Sequence, residues 1–370
     1  MRQTILVAIG TRPEAIKLFP LVHLLNQNSH AKTIVCVTGQ HREMLDQVLA
    51  FSRIEPDYDL NIMKVGQSLD ELSAAVLSGV GRVLDAVKPN RVIVQGDTTT
   101  AAMSALSAFY RRIPIAHVEA GLRTNSKFAP WPEEINRRII SQLADQHFAP
   151  TNRARDALAN EGIPMRDIFV TGNTVVDALK WAQRRLREER QDSGNGSGPR
   201  KEKRRILVTC HRRENFGCGV SEVVSALLEI ADRQDVHVFV QVHPNPNVRS
   251  IFESSLGKHH NISLLSPLSY AEFVALLDQV DFILTDSGGI QEEAPALGKP
   301  VLVLRETTER PEAIEAGTAL LVGTNRARIV RETFKLLDDA DHYRAMATAH
   351  NPFGDGFASE RIVGVLLNGR

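Results

Sequence analysis

Short β-branched runs alternate with segments of helical period along most of the chain, and this alternation restricts the possible folds most strongly. The pattern starts at Thr4–Ile9, pauses in a polar tract near residues 191–203 and restarts at Ile206–Thr209. Alternating strands and helices are typical of βαβ units, which form parallel sheets covered by helices. A chain of 370 residues is too long for one ordinary core. The sequence therefore predicts an α/β protein with two Rossmann-like, doubly wound parallel-sheet domains facing a cleft.

The predicted elements fall into two similar series. The first half contains strands at Thr4–Ile9, Thr33–Thr38, Arg91–Gln95, Ile113–Val118, His147–Ala149 and Ile163–Thr171. Its helices are predicted at Pro13–Asn26, Met44–Phe51, Leu69–Val87, Thr98–Arg111, Pro132–Leu143 and Trp181–Arg190. The second half contains strands at Ile206–Thr209, His237–Val242, Ile262–Leu265, Phe282–Thr285, Val301–Leu304 and Ala319–Val322. Its helices are predicted at Val220–Asp232, Tyr270–Leu277, Ile290–Leu297 and Ala327–Asp338.

Composition and charge exclude several classes of protein. The chain has 44 Lys and Arg residues and 44 Asp and Glu residues. Its net charge therefore provides no electrostatic attraction to nucleic acid or to a membrane surface. Three cysteines suit a reducing compartment. Cys210-His211 with Cys218 could suggest a metal pair, but no second Cys/His pair has the spacing of metal ligands. No run approaches the roughly 20 apolar residues of a membrane span, and the first residues lack a secretory pattern. We therefore expect a cytoplasmic protein without a metal.

The stretch Thr285–Ala294 carries the strongest functional signal. It follows the apolar run Phe282–Leu284, places Ser287, Gly288 and Gly289 in a turn, and leads into a helical pattern. Such a turn offers unpaired backbone N–H groups, and its glycines let a bulky anion approach the backbone. Glu292 and Glu293, one turn later, could accept hydrogen bonds from ribose hydroxyls. The sequence predicts a site for a nucleoside diphosphate here.

A pair of cations follows the first predicted strand. Gly10 starts a turn, and Arg12 and Lys17 lie close enough along the helix to face the same anion. A surface arginine with a snorkelling lysine is an equally good interpretation of this segment alone. The segment is not G-x-G-x-x-G, which disfavours a nicotinamide dehydrogenase and leaves no predicted cofactor.

Polar side chains follow several other predicted strands. Asp97 follows one, where either Asp or Thr could cap the next helix, and Glu119 follows another at the tip of an apolar run. Glu133 and Glu134 start a helix, whose dipole alone could explain at least one of them. In the second half, His211 follows one strand and has Arg212 beside it. Arg310 follows a later strand. Ser287 lacks a nucleophile-elbow context, so acid–base chemistry on a nucleotide-linked ligand remains.

Eight motifs in order resemble the bacterial non-hydrolysing UDP-N-acetylglucosamine 2-epimerases. In the first half they are Gly10–Glu14, Gln95–Thr98, His117–Arg123 and Pro132–Arg137. They continue with Gly172–Asp177, His211–Asn215, Asp286–Glu293 and Thr308–Glu312. The resemblance implies a GT-B architecture, with a first domain at residues 1–172 joined by a crossing helix within 354–370. It implies a UDP-binding second domain at 173–353, with a flexible stretch near 191–203.

The resemblance also implies an activity and a homodimer. The family interconverts UDP-GlcNAc and UDP-ManNAc by eliminating UDP and adding it back through a bound 2-acetamidoglucal, supplying ManNAc for cell-surface polysaccharide. Positions that match its catalytic set are Asp97, Glu119, Glu133 and His211. Positions that match its UDP-sugar contacts are Arg12, Lys17, His211, Ser287, Gly288, Gly289, Glu293 and Arg310.

Several alternatives stay open on the sequence. They are a hydrolysing 2-epimerase that releases free ManNAc and UDP, an epimerase of a modified UDP-diacetamido sugar, a GT-B glycosyltransferase and a non-catalytic UDP-sugar sensor. Some family members bind a second, activating UDP-GlcNAc, and the matching positions here are Gln40, Glu134, Arg212 and His243. Glu43 stands where those members tend to have Gln, and Gly66-Gln67 lacks the Arg expected nearby.

Overall fold

The computed structural model describes residues 2–39, 42–64, 66–192, 203–210, 218–242 and 246–368. It divides into two compact units. Unit 1 comprises Met1–Trp181 with Phe353–Arg370, and unit 2 comprises Ala182–Pro352. Each unit has its own parallel sheet, which confirms the predicted α/β class with two Rossmann-like domains. The stretch predicted to be flexible, near 191–203, lies largely outside the described residues.

Unit 1 contains a seven-stranded sheet in the order β3-β2-β1-β4-β5-β6-β7, and every pairing is parallel. Its strands are β1 (Gln3–Ile9), β2 (Ala31–Val37), β3 (Tyr58–Asp59), β4 (Arg91–Gln95), β5 (Ile115–Val118), β6 (Gln146–Ala149) and β7 (Ile168–Val170). Its helices include α1 (Arg12–Gln27), α2 (Arg42–Ser52), α3 (Leu69–Val87), α4 (Thr99–Tyr110), α5 (Glu133–Leu143) and α6 (Asn152–Asn160). The strand order reverses between β1 and β4, which is where doubly wound sheets bind ligands beyond their carboxyl ends.

Unit 2 contains a six-stranded parallel sheet in the order β10-β9-β8-β11-β12-β13, and α7 (Thr174–Asp192) leads into it from unit 1. Its strands are β8 (Arg204–Cys210), β9 (Val236–Val242), β10 (Ile262–Leu265), β11 (Phe282–Thr285), β12 (Val301–Val303) and β13 (Ala319–Leu321). The helices are α8 (Cys218–Ala231), α9 (Pro246–Leu256), α10 (Tyr270–Gln279), α11 (Gly288–Glu293), α12 (Pro311–Glu315), α13 (Arg326–Asp338) and α14 (Ala340–Ala347). The order reverses between β8 and β11, so the turn after β11 lies at the switch point of this sheet.

The last helix, α15 (Ala358–Leu367), belongs to unit 1. Asp177, in the first turns of α7, anchors its N-terminus: the carboxylate accepts from the backbone N–H of Ser359 at 2.7 Å and of Ala358 at 3.2 Å. Burial raises the pKa of Asp177 above its usual range, although the hydrogen bonds from the start of α15 oppose this. A buried carboxylate thus caps α15 from a helix that is 181 residues away in sequence.

Apolar strand residues form the core of each unit. Leu6, Ala8, Val92 and Val94 are fully buried between helices in unit 1, and Val208, Val238 and Leu284 are fully buried in unit 2. Residues on central parallel strands are covered on both faces, which explains their near-continuous apolar runs. No helix among the described residues is long and apolar enough to span a membrane.

The sequence located most elements, and the differences have local causes. α3, β4, β10 and β11 have the predicted bounds, whereas β3, α6, α9, α12 and α14 were missed. β3 has two residues and α12 has five, which is too short for a periodic signal. The predicted strand Ile163–Thr171 is wrong in extent: a 3₁₀ turn at Met165–Asp167 precedes the three-residue β7. The predicted helix Ile290–Leu297 begins earlier, at Gly288, and ends as a 3₁₀ turn that contains Pro295.

Candidate active site

In unit 1, three neighbouring strands end in turns that carry predicted site residues. β1 leads through Gly10 and Thr11 into α1, which holds Arg12 and Lys17. β4 is followed by Asp97, and β5 is followed directly by Glu119. Because β1, β4 and β5 are adjacent in the parallel sheet, their carboxyl ends lie at one edge.

Glu119 is the most constrained of these residues. Its φ is 62°, in the left-handed region that non-glycine residues rarely adopt, and it is 9% exposed. Its Oε2 lies 2.5 Å from Lys17 Nζ and accepts hydrogen bonds from Gln95 Nε2 at 3.0 Å and Asn173 Nδ2 at 3.3 Å. Such a backbone conformation costs about 1–3 kcal/mol and persists only where the surroundings fix it. Three donors on one oxygen provide that fixation.

The two amides beside Glu119 were not predicted from the sequence. Asn173 is oriented by its own Oδ1, which accepts from the backbone N–H of Val175 at 3.1 Å, so its amide nitrogen faces Glu119. Gln95 ends β4 in register with Val118, the residue before Glu119. The only sequence signals were a polar residue at the end of an apolar strand and an Asn before a helix. The second is easily taken for a helix cap.

Asp97 is held by an arginine from α5. Arg137 Nε and Nη2 both approach Asp97 Oδ2, at 2.8 and 2.7 Å, and Asn136 Nδ2 donates to the backbone carbonyl of Asp97 at 2.9 Å. The cap of α4 is Thr98, whose Oγ1 accepts from Ala101 N at 3.0 Å. The capping role considered for Asp97 therefore belongs to Thr98, and the Asp97 carboxylate faces Arg137.

A buried histidine supports the turn that carries Asp97. His117 Nε2 donates to the carbonyl of Gly96 at 2.7 Å, and Gly96 itself has a φ of 67°. Burial lowers the pKa of His117 to about 3, so the ring is neutral at physiological pH. Its Nδ1 is buried and has no hydrogen-bond partner among the described residues. The ring therefore serves as a fixed neutral donor to the β4–α4 turn.

The two glutamates at the start of α5 have different surroundings. Glu134 is 1% exposed and accepts from Thr124 N at 3.0 Å and from Arg138 Nη2 at 3.1 Å. Burial alone would raise the pKa of Glu134, but the hydrogen bonds from Thr124 and Arg138 outweigh it and lower the pKa. Glu133 instead has a buried Oε2 without a hydrogen-bond partner in the described part of the chain. Glu134 therefore holds Thr124, in the segment between β5 and α5, against α5, and Glu133 presents an unsatisfied acceptor.

The predicted cations of α1 have separate environments. Lys17 pairs with Glu119, whereas Arg12 Nη1 lies 3.9 Å from the sulfur of Met44. Arg12 is partly exposed and sits at the start of α1. The structure thus brings Lys17 into contact with the predicted acid set and leaves Arg12 at the rim of the same turn.

In unit 2, the predicted phosphate turn is shaped by buried threonines. Ser287 N donates to Thr285 Oγ1 at 2.9 Å, and Thr285 Oγ1 lies 2.6 Å from Thr209 Oγ1 on the neighbouring strand. Ser287 is the N-cap residue of α11, but its side chain makes no capping hydrogen bond. Gly288 and Gly289 follow as the first residues of this six-residue helix.

Arg310 lies beside this turn. A Cβ added to Gly288 would lie 4.0 Å from the guanidinium carbon of Arg310. Arg310 Nε donates to Glu292 Oε1, and both residues are buried. Thr308 Oγ1 accepts from Arg310 N at 3.0 Å and donates to Gln291 Oε1 at 2.6 Å. Glu292, which the sequence offered as a hydroxyl acceptor, is thus an ion-pair partner of Arg310, while Glu293 lies beside it at 8% exposure.

Four predicted residues lie outside the described part of the chain. They are His211, Arg212, His243 and Gln40. Within the described ranges, no three His, Cys, Asp or Glu side chains are grouped as metal ligands.

Comparison with known proteins assigns the chain to a family. The family model described as UDP-N-acetylglucosamine 2-epimerase matches residues 23–367. The chain belongs to the UDP-N-acetylglucosamine 2-epimerase family. It is 52% identical to UDP-N-acetylglucosamine 2-epimerase of Escherichia coli K12, with 99% of each chain covered. It is 50% identical to that of Campylobacter jejuni, covering 100% of this chain and 99% of the other.

Solved structures of 2-epimerases have the same fold. UDP-GlcNAc 2-epimerase from Neisseria meningitidis, bound to UDP-GlcNAc, superposes with a TM-score of 0.91 at 46% identity, covering 99% of this chain and 100% of the other. The enzyme from Methanocaldococcus jannaschii, in complex with UDP-GlcNAc and UDP, gives a TM-score of 0.80 at 34% identity, with 99% and 100% covered. The family resemblance of the sequence is confirmed, and so is the predicted GT-B type of fold, with two Rossmann-like domains.

Proposed function

We propose that this 2-epimerase interconverts UDP-GlcNAc and UDP-ManNAc without net hydrolysis, by eliminating UDP and adding it back through a bound 2-acetamidoglucal. One observation carries the proposal: a strained, buried Glu119 is held by Lys17, Gln95 and Asn173 next to the turn that bears Asp97. The complexes of relatives with UDP-GlcNAc and with UDP support the choice of substrate.

The reaction needs groups that remove and supply a proton at C2. A base takes the C2 proton while the C1–O bond breaks, the C–H electron pair forms the C1=C2 double bond, and UDP leaves with the C1–O pair. In the return step the C1=C2 electron pair takes a proton from an acid on the opposite face of C2, and a UDP oxygen bonds to C1. Asp97, Glu119 and Glu133 have three different environments in unit 1. Such differences let carboxyl groups divide acid and base roles.

The departing UDP accumulates negative charge that must be stabilised. In unit 2, Arg310 stands beside the Ser287–Gly289 turn and is oriented by Glu292 and Thr308. A preorganised guanidinium stabilises a leaving diphosphate without reorganisation during the reaction. We therefore propose that Ser287, Gly288, Gly289, Glu293 and Arg310 bind UDP. His211 stays a prediction for the same substrate.

The wider features of the proposal rest on family resemblance. They are a cytoplasmic homodimer, no cofactor and a role in supplying ManNAc for cell-surface polysaccharide. Binding of a second UDP-GlcNAc by Gln40, Glu134, Arg212 and His243 stays a prediction. Glu134 already bonds Thr124 and Arg138, so such a ligand would have to share its carboxylate.

A product assay tests the proposed reaction. Purified protein is incubated with UDP-GlcNAc and, separately, with UDP-ManNAc, and the two UDP-sugars, free ManNAc and UDP are resolved. We expect both incubations to reach the same ratio of UDP-sugars without net release of UDP. Stoichiometric UDP with free ManNAc would instead identify a hydrolysing 2-epimerase. Turnover confined to a UDP-diacetamido sugar, tested in parallel, would reassign the substrate.

A further inference from the structure

A buried carboxyl group that the proposed chemistry does not use links two turns of unit 1. Glu14, in the first turn of α1, is 1% exposed. Its Oε2 accepts from Gly10 N at 3.1 Å and from Thr11 Oγ1 at 2.8 Å, and its Oε1 accepts from Thr98 Oγ1 at 2.8 Å. The two oxygens of one side chain thus join the turn after β1 to the turn after β4, 84 residues away in sequence.

Each linked turn leads to a residue of the proposed site. Gly10 and Thr11 open α1, in which Lys17 reaches Glu119. Thr98 follows Asp97 directly and caps α4 through Ala101 N, so its hydroxyl is fixed by a donor and an acceptor at once. A shift of Glu14 would therefore move both Lys17 and Asp97.

The two turns are also in direct contact. A Cβ placed on Gly10 would lie 2.2 Å from Thr100 Oγ1, so only glycine allows the β1 turn to lie against the start of α4. Thr100 Oγ1 is itself 2.9 Å from Oγ1 of Thr38, the residue that follows β2. Glu14 thus lies at a tightly packed junction, where a small displacement cannot be absorbed by empty space.

We infer that Glu14 is a positioning residue, which sets the placement of Lys17 and Asp97 for the proton transfers at C2. The inference rests on the proposed function, because it assigns Glu14 no contact with substrate. Burial raises the pKa of Glu14 to about 7, against the hydrogen bonds that favour its ionised form. Burial disfavours the charged form of Glu14, and the three hydrogen-bond donors that converge on its carboxyl group account for an acid at this position.

The test compares Glu14→Gln with a substitution of Asp177, a buried carboxyl group that links α7 to α15 and neither of the two turns. In Glu14→Gln an NH₂ group replaces one carboxylate oxygen, so either the Thr98 hydroxyl or the Gly10 and Thr11 donors lose their acceptor. Misplacement of catalytic groups by about 1 Å can cost about 100-fold in rate. We expect kcat on UDP-GlcNAc to fall by about tenfold or more, with KM changed less than about twofold.

Asp177→Asn is the matched control, since Asp177 is 7% exposed and ties α7 to α15. It should lose thermal stability and keep kcat within about twofold of wild type, because Asp177 has no link to either turn.

A second pair of variants tests the link from its other end. Thr98→Ser keeps the hydroxyl that donates to Glu14 Oε1, and Thr98→Val removes it. We expect the serine variant to retain wild-type kcat and the valine variant to lose kcat as Glu14→Gln does. If Glu14→Gln does not fold, this pair decides, since equal kcat values for Ser and Val would overturn the inference.

The outcomes separate the inference from the proposed function. An active wild type with Glu14→Gln at undiminished kcat would overturn the inference and leave the proposed function standing. If kcat falls only in proportion to the fraction of unfolded protein, the loss reflects a structural defect, and this result would also overturn the inference. A wild type inactive on UDP-GlcNAc would overturn both. A kcat loss at unchanged KM in folded Glu14→Gln, absent from Asp177→Asn, would establish the positioning role.

Discussion

At the residue scale, Glu119 shows how the fold maintains a conformation that the backbone disfavours. Its left-handed φ places the carboxylate just beyond β5, where Lys17, Gln95 and Asn173 converge on Oε2. Charge-assisted bonds of this kind are about twice as strong as neutral ones, so they can offset a strained backbone. A residue held in this way is preorganised before substrate binds.

We predict that Glu119→Gln retains UDP binding and loses turnover. The amide has nearly the same shape but cannot exchange a proton at C2, and general acid–base catalysis typically contributes about 10²–10⁴-fold. Steady-state epimerisation and calorimetric titration with UDP measure the two effects separately. Full activity in this variant would remove Glu119 from the catalytic set.

We predict that the stability of the protein depends on pH through Glu14. The folded-state pKa of about 7 lies above the ordinary 4.5, so the folded state favours the protonated form. The contribution of Glu14 to the free energy of unfolding is complete below pH 4.5 and is lost as pH rises through about 7. Over this pH range the free energy of unfolding of the wild type should fall by about 3 kcal/mol relative to that of Glu14→Gln. Urea unfolding of both proteins at pH 5 and pH 8.5 measures this difference, and an equal gap at both values would contradict the prediction.

The sequence predicted two acids that follow strands as site residues, and it did not predict the side chains that contact them or hold their turns. Glu119 was predicted because packing does not explain a carboxylate at the tip of an apolar strand. Asp97, which could equally have capped a helix, was predicted because its position matches the family's catalytic set. Gln95, Asn173 and Glu14 were not predicted as functional, since their partners lie 24, 54 and 84 residues away. A hydrogen bond over such a separation depends on sheet order, which local patterns do not specify.

At the element scale, close packing of turns against helices positions the site of unit 1. Gly121, two residues after Glu119, has a φ of 91°, and a Cβ there would lie 2.2 Å from the backbone carbonyl oxygen of Ala154 in α6. Arg123 then binds Glu161 beyond α6, with Nε–Oε1 at 2.8 Å and Nη2–Oε2 at 2.7 Å. The segment after β5 is therefore held close to α6 at Gly121 and again at Arg123. A larger residue at Gly121 would force the backbone to move.

We predict that Gly121→Ala destabilises the protein by about 3 kcal/mol or more, because both the backbone conformation and the contact with a carbonyl are unfavourable. Gly364→Ala is the matched control. Gly364 lies inside α15 with nothing within 4 Å of its added Cβ, so alanine should be neutral or stabilise by up to about 1 kcal/mol. Thermal unfolding of both variants provides the comparison, and equal melting temperatures would contradict the packing described here.

The boundaries of elements followed the apolar pattern where the pattern was long. α3 buries seven of its 19 residues and has a complete capping box from Ser68 and Glu71, which explains why its bounds were predicted correctly. α6 buries only Ala154 and Leu158, and it was missed. For these two helices, the success of the prediction therefore followed the apolar surface that each helix buries.

At the scale of the whole molecule, each unit contributes a different part of the proposed chemistry. Unit 1 holds the carboxylates with Lys17, and unit 2 holds Arg310 beside the Ser287–Gly289 turn. The doubly wound class of both units followed from the alternation of strands and helices. The nature of the ligand did not follow from that alternation. It required the motifs at the strand ends and the family comparison.

We predict that the protein is a homodimer, as the resemblance to the family implies. Light scattering coupled to size-exclusion chromatography should give twice the chain mass of 40.9 kDa. A mass of one chain over the micromolar range would contradict this prediction without affecting the chemistry proposed for a single chain.

In the proposed reaction, C2 loses and regains a proton while UDP leaves and returns. Incubation with UDP-GlcNAc in deuterated water, followed by mass spectrometry and NMR of the recovered UDP-sugars, tests it most directly. We expect one deuterium at C2 of both UDP-GlcNAc and UDP-ManNAc. Formation of UDP-ManNAc without deuterium at C2, or binding of UDP-GlcNAc without any exchange, would contradict it.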